Sequence, residues 1–184
     1  MSRAFSVTAR FVAACALLAG AGLVAATDAR AQAPEEFPFA GTFTYVPEES
    51  DDVEAAIGRA VEHMNFLVKR IARPRLRNTN VPYGKVTITR TATELSIATD
   101  ERAPVVSPAA GTPIKWTRED GEVFDVTTVL EGGRLVQSFT AEDGSRENAF
   151  TLSPDGDTLT MTVTIRSDRL REPLVYKLLY RRTQ

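Results

Sequence analysis

Few residues in this 184-residue chain have the chemistry of a catalyst, and spacing limits how far each can be taken. His63 is the only histidine and Cys15 the only cysteine. A general base needs a partner within hydrogen-bond reach. Glu62 adjoins His63, but adjacent helix positions do not face one another, so a surface histidine is the simpler reading. No Gly-x-Ser-x-Gly elbow, histidine-rich metal spacing or Walker loop occurs. Asp143, Asp155 and Asp157 fall in turns whose backbone needs account for them. Nothing in these motifs asks for a metal or an organic cofactor, and an enzyme ranks third among the functional readings.

The chemistry that remains belongs to aromatic and apolar side chains at alternating strand positions. Tyr45, Trp116, Phe124, Phe150, Tyr176, Leu178 and Tyr180 are the candidate ligand-binding residues, with Phe43 and Phe139 on the same kind of face. Such residues either line a pocket for a small hydrophobic molecule or plug the space themselves. A second cluster, Lys69, Arg70, Arg73, Arg75 and Arg77, is basic. It reads as a helix C-terminus complementing the dipole with a solvated loop after it; a weak contact with an anionic surface is the alternative.

The elements that must position these residues are strands. Between 120 and 182, Asp120-Gly121, Gly132-Gly133, Asp143-Gly144 and Asp155-Gly156 recur at nearly even spacing. Each tolerates the positive φ of a tight hairpin. The segments between them, 122–130, 134–140, 145–152, 158–166 and 173–182, are therefore antiparallel neighbours. In 158–166, Leu159, Met161, Val163 and Ile165 alternate with threonines, the pattern of a sheet buried on one face. In the last segment Leu174, Tyr176, Leu178 and Tyr180 share a face. Upstream, 39–46, 85–91, 93–99, 104–107 and 112–118 add strands, the later ones broken by Pro104, Pro108 and Pro113.

One helix interrupts this series. Ser50-Asp51-Asp52 supplies an N-cap, and Val53, Ile57, Ala60, Val61, Met64, Leu67, Val68 and Ile71 recur at helical spacing, predicting one long amphipathic helix from 51 to 72 that ends at Pro74. Met64 and Phe66 read as core filler in preference to a gate facing a ligand. About ten strands and one inserted helix suit a closed or nearly closed up-and-down barrel. A two-sheet sandwich or an open half-barrel around the helix is the competing architecture.

The first 31 residues read as an export signal: Arg3 and Arg10, an apolar run over 11–26, and the cleavage site Ala29-Arg30-Ala31. The run is short for a membrane span, which needs ~20 apolar residues. Cys15 loosely fits a lipobox, yet the apolar run continues past it, so no lipid is expected there. Cleavage after Ala31 removes the only cysteine, and with it any disulfide or thiol chemistry. Residues 32–184 then form a single barrel domain, periplasmic or secreted. Loss of three arginines against one aspartate leaves it more acidic than the full chain's formal charge of −2, which argues against nucleic acid as a partner.

The stretches Gly121-Glu122-Val123-Phe124-Asp125-Val126-Thr127-Thr128, Leu130-Glu131-Gly132-Gly133-Arg134-Leu135-Val136-Gln137, Asp155-Gly156 and Val175-Tyr176-Lys177-Leu178-Leu179-Tyr180 resemble the second half of the fatty-acid-binding proteins. These are calycins of lipocalin-like type, with helices between the first and second strands, and Gly41-Thr42-Phe43 stands where calycins carry Gly-x-Trp. The resemblance implies a barrel that holds a lipophile. Of the family's Arg-x-Tyr carboxylate anchor only the tyrosine is matched, by Tyr180. Leu178 takes the arginine's place, and the family's second arginine falls at Phe150. An interior without that charge favours neutral or weakly polar ligands. The leading expectation is an exported protein binding an apolar or amphipathic small molecule, with no stable membrane insertion after signal cleavage. An envelope structural or interaction protein with a side-chain-filled barrel is the alternative.

Overall fold

The structure, a computed structural model, describes residues 37–100 and 102–183. The leader, its cleavage after Ala31 and the absence of lipid on Cys15 lie outside the described residues. The strands are β1 (Gly41–Tyr45), β2 (Lys85–Arg90), β3 (Glu94–Thr99), β4 (Val105–Pro108), β5 (Ile114–Thr117), β6 (Val123–Glu131), β7 (Arg134–Ala141), β8 (Gly144–Leu152), β9 (Thr158–Ser167) and β10 (Leu174–Arg182). All ten join one antiparallel sheet in the order β4-β3-β2-β1-β10-β9-β8-β7-β6-β5. The sheet curls into the nearly closed up-and-down barrel that the turn spacing predicts. The glycine turns do the work assigned to them, with φ of 87° at Gly121, 75° at Gly133 and 80° at Gly156. Gly144 serves differently: a Cβ there would run into the Arg166 carbonyl of the neighbouring strand.

First and last strands pair through Tyr45 and Tyr180, so the ring closes at β1–β10. It stays open at a seam between β4 and β5, which share no ladder. There the hydroxyls of Ser107 and Thr128 share a buried 3.0 Å hydrogen bond that joins β4 to β6. At the rim where β1 begins, Arg182 gathers the chain: its guanidinium donates to the carbonyls of Gly156, Ala40 and Pro38 and lies over the Phe43 ring at 4.6 Å.

The core follows strand parity. Leu159, Met161 and Val163 of β9 face Tyr180, Leu178 and Tyr176 of β10, all buried, and Phe43, Val86, Ile88, Leu135 and Phe150 complete the same cluster. The threonines of β9 lie on the other face, as alternation requires.

The helical insertion sits after β1, but it is divided. A 3₁₀ turn (Pro47–Glu49) leads to α1 (Val53–Ala60), and α2 (Phe66–Thr79) follows. The break has local causes: the Val61 amide closes α1 onto Ile57, and Asn65 starts a new helix by accepting from the Val68 amide at 3.0 Å. Only the first half of the expected apolar stripe is buried. Ile57 and Val61 are within the core, whereas Phe66 is 71% and Ile71 74% exposed, so Phe66 is surface and not core filler. Pro74 does not end α2, which loses one ladder donor there and runs on to Thr79. The basic run lies inside this helix and not in a loop. Arg73 and Arg77 fork onto Glu54 of α1, both at 2.7 Å, and hold its carboxyl down at about 2 through those hydrogen bonds.

Candidate functional site

Parity along β8 puts Arg146, Asn148 and Phe150 on the inward face, opposite Ile165, Val163 and Met161 of β9. Arg146 is half-buried there, and a charge taken partly out of water seeks hydrogen-bond partners. Arg146 Nε donates to Asn148 Oδ1 at 2.9 Å. Its Nη1 donates to Asn80 Oδ1 at 3.1 Å and to the Thr79 carbonyl at 3.4 Å. All these acceptors are uncharged. No carboxylate among the described residues pairs with it.

Of the chain's four tyrosines, Tyr176 and Tyr180 lie near enough to this guanidinium to feel its charge. Tyr176, from β10, donates its phenol to Asn80 Oδ1 at 2.9 Å. Tyr180 packs its ring against Tyr45 with centroids 5.6 Å apart, and its buried hydroxyl has no hydrogen-bond partner. Burial pushes the Tyr180 phenol far above its ordinary range; Tyr83, Tyr45 and Tyr176 add to the shift and Arg146 opposes it. Burial likewise raises Tyr176. Both phenols therefore keep their protons at neutral pH, and Tyr176 donates its own to Asn80. Asn80, 2% exposed, comes from the end of α2 and roofs the group.

The seven residues chosen from sequence thus divide. Tyr176 shares the Asn80 oxygen with Arg146, Tyr180 lies near enough to feel the Arg146 charge, and Tyr45 packs on Tyr180. Phe150 and Leu178 are buried in the apolar core, Phe150 facing Met161 across the sheet and Leu178 facing the same methionine. Trp116 and Phe124, on β5 and β6, join Phe139 in a half-buried aromatic triangle with centroids 5.6 to 6.2 Å apart, and Phe139 lies directly across from Arg146 in the β7–β8 register. Arg118 caps that triangle, 5.2 Å over the Phe124 ring, and draws the Asp120 carboxyl down to about 2. Arg146, Asn148, Asn80 and Tyr83 went unread in the sequence. Arg146 had a signal: Phe150 was placed inward, and a residue four positions earlier in the same strand must face the same way. The interior is therefore not without the charge that Leu178 fails to supply.

Two shallow clefts lie at the helices. One, of about 280 Å³, is lined by Phe66, Lys69, Arg70, Arg73, Pro74 and Arg77. The other, of about 230 Å³, holds His63 with Met64, Val68, Arg169 and Arg171. His63 lies exposed in the turn between α1 and α2 and has no carboxylate bonded to it among the described residues. Among the described residues no group of His, Cys, Asp and Glu is arranged to hold a metal, and no helix is long and apolar enough to cross a membrane.

No family profile matches the sequence, and no curated protein does. Solved structures do match. The REP1-NXSQ fatty acid transporter aligns over 79% of this chain and 96% of its own, with a TM-score of 0.51 and 16% identity. Lipid binding protein 8 of Caenorhabditis elegans aligns over 81% and 98%, at 0.51 and 11%. Zebrafish ileal bile acid-binding protein in complex with cholic acid aligns over 80% and 100%, at 0.50 and 13%. At such identities the likeness concerns the fold: this chain is a calycin-like barrel of the shape shared by the fatty-acid-binding proteins.

Proposed function

We propose that the protein is an exported carrier that binds one amphipathic small molecule, its polar head at Arg146 and its apolar body among the core residues of β1, β9 and β10. The observation that carries this reading is Arg146 itself, an inward, half-buried guanidinium with no carboxylate among the described residues, with the Tyr176 phenol on the same acceptor and the buried, unpartnered Tyr180 phenol within reach of its charge. Those groups are donors that a bound oxyanion would accept from. The lipid-binding and fatty-acid-binding proteins that share the fold support an apolar body for the ligand. Export to the periplasm or medium rests on the charged, then apolar, leader ending at Ala29-Arg30-Ala31.

A specific observation favours a second reading. Phe43, Val86, Ile88, Leu159, Met161 and Val163 are fully buried, so side chains fill much of the interior and a ligand must move some of them. If they do not move, the barrel is a structural or interaction module. Dye displacement with dodecanoate and dodecanol, after organic extraction of the purified protein, separates the two. Carrier function gives micromolar dodecanoate binding that Arg146→Leu weakens by about 10- to 100-fold, the worth of hydrogen bonds to a charged group, with dodecanol little changed. Absence of binding by either probe, with native mass spectra that hold no extractable mass, leaves the filled barrel.

A further inference from the structure

Two donors of the site, the Tyr176 phenol and Nη1 of Arg146, already converge on a single oxygen, and that oxygen belongs to the protein. Asn80 Oδ1 accepts from the Tyr176 phenol at 2.9 Å and from Arg146 Nη1 at 3.1 Å. The orientation of the amide is fixed by its other end, where Nδ2 donates to the Leu76 carbonyl at 2.8 Å and to Thr79 Oγ1 at 3.2 Å. We propose that Asn80 is an internal stand-in for the ligand's head group, that it sets the specificity of the site for oxyanions, and that its displacement loosens α2. The inference rests on the carrier reading above.

The selection follows from an exchange of acceptors. A neutral head, such as an alcohol or an ester, would replace an amide oxygen by another uncharged oxygen and gain nothing at these donors, while Asn80 would have to find new partners. A carboxylate, sulfate or phosphate oxygen forms charge-assisted bonds, roughly twice as strong as neutral ones. Only an anionic head therefore repays the eviction. Structural consequences reach α2 because Asn80 is its C-cap residue and α2 buries none of its own side chains fully. With Asn80 gone from the site, the helix keeps the Glu54 fork and the half-buried Leu76 as its anchors.

The test uses the extracted full-length exported protein, dodecanoate and dodecanol as probes, and two variants. Asn80→Ala empties the position and should bind dodecanoate about tenfold more tightly than the parent, the order of one net hydrogen bond. Asn80→Asp fills it with a tethered carboxylate, at the loss of the Nδ2 bonds to Leu76 and Thr79, and should bind dodecanoate about tenfold less tightly. Dodecanol affinity should move much less in both. Hydrogen exchange over residues 66–79 of the parent should quicken when dodecanoate is added. If Asn80→Ala binds dodecanoate no better than the parent, or Asn80→Asp binds it equally well, Asn80 is only a helix cap and the proposal is overturned while carrier function stands. Should parent, Asn80→Ala and Asn80→Asp all fail to bind dodecanoate, both readings fall together.

Discussion

Polar residues inside an apolar barrel are expensive, and the way each is satisfied separates structure from function. Ser107 and Thr128 satisfy one another, and Asn148 is satisfied by Arg146. Gln137, inward on β7 between Thr128 and Asn148, is not: its Nε2 is buried without a partner. An unpaired buried donor costs about 1 to 3 kcal/mol. Gln137→Leu, which keeps the volume close and removes the donor, should therefore raise the free energy of unfolding by about 1 kcal/mol in urea titration. No gain, or a loss, would mean that the amide has a partner such as a buried water. At this scale the sequence was half legible. Alternation identified the inward tyrosines of the last strand, and the same parity applied to Phe150 would have delivered Arg146. Asn80 could not be read, since its place depends on where a helix ends and which strand it then meets.

The two helices differ in what they hold. α1 buries Ile57 against the core, with Val61 at its C-cap, whereas α2 turns Phe66, Leu67 and Ile71 to solvent. Ile57→Asp or Val61→Asp would bury an unpaired charge and should cost several kcal/mol. Ile71→Ser, three quarters exposed already, should stay within about 0.5 kcal/mol of the parent. Paired thermal melts decide the matter, and equal losses in both helices would show that α2 is buried in solution. Helical periodicity predicted the insertion and its place after β1 correctly. It could not show the break, because Val61, Met64, Val68 and Ile71 keep helical spacing through it while the Asn65 side chain caps a second helix there. Pro74 misled for a related reason: proline removes one bond, and a helix capped at both ends by Asn65 and Asn80 survives that loss.

At the scale of the whole molecule the architecture was the most legible part. Turn glycines at regular intervals fix neighbours, neighbours fix an antiparallel order, and an order that returns its last strand to its first gives a ring. Sequence could not say whether the ring closes, because closure depends on whether β4 and β5 are long and straight enough to pair. Each has four residues, in the stretch that carries Pro104, Pro108 and Pro113. Their edges meet no ladder, and the Ser107–Thr128 bond reaches past β5 to β6.

That seam makes the position of the chain's ends arbitrary. β4 and β5 follow one another in sequence yet share no backbone bond, while β1 and β10, far apart in sequence, are paired and are bound further by Thr183 N donating to the Thr42 carbonyl. A circularly permuted chain opened within 109–113, with residue 183 joined to residue 37 through a short glycine linker, would place every strand beside its sequence neighbour, from β5 through β10 and β1 to β4. No ladder bond would be cut. Such a permutant should keep the parent's far-ultraviolet dichroism and melt within a few degrees of it, whereas one opened at 153–157, through a paired hairpin that Arg182 also clamps, should melt lower. The loop that the native order spends on joining two unpaired strands is thus the place where new termini, or an inserted domain, can be accepted at least cost to the fold.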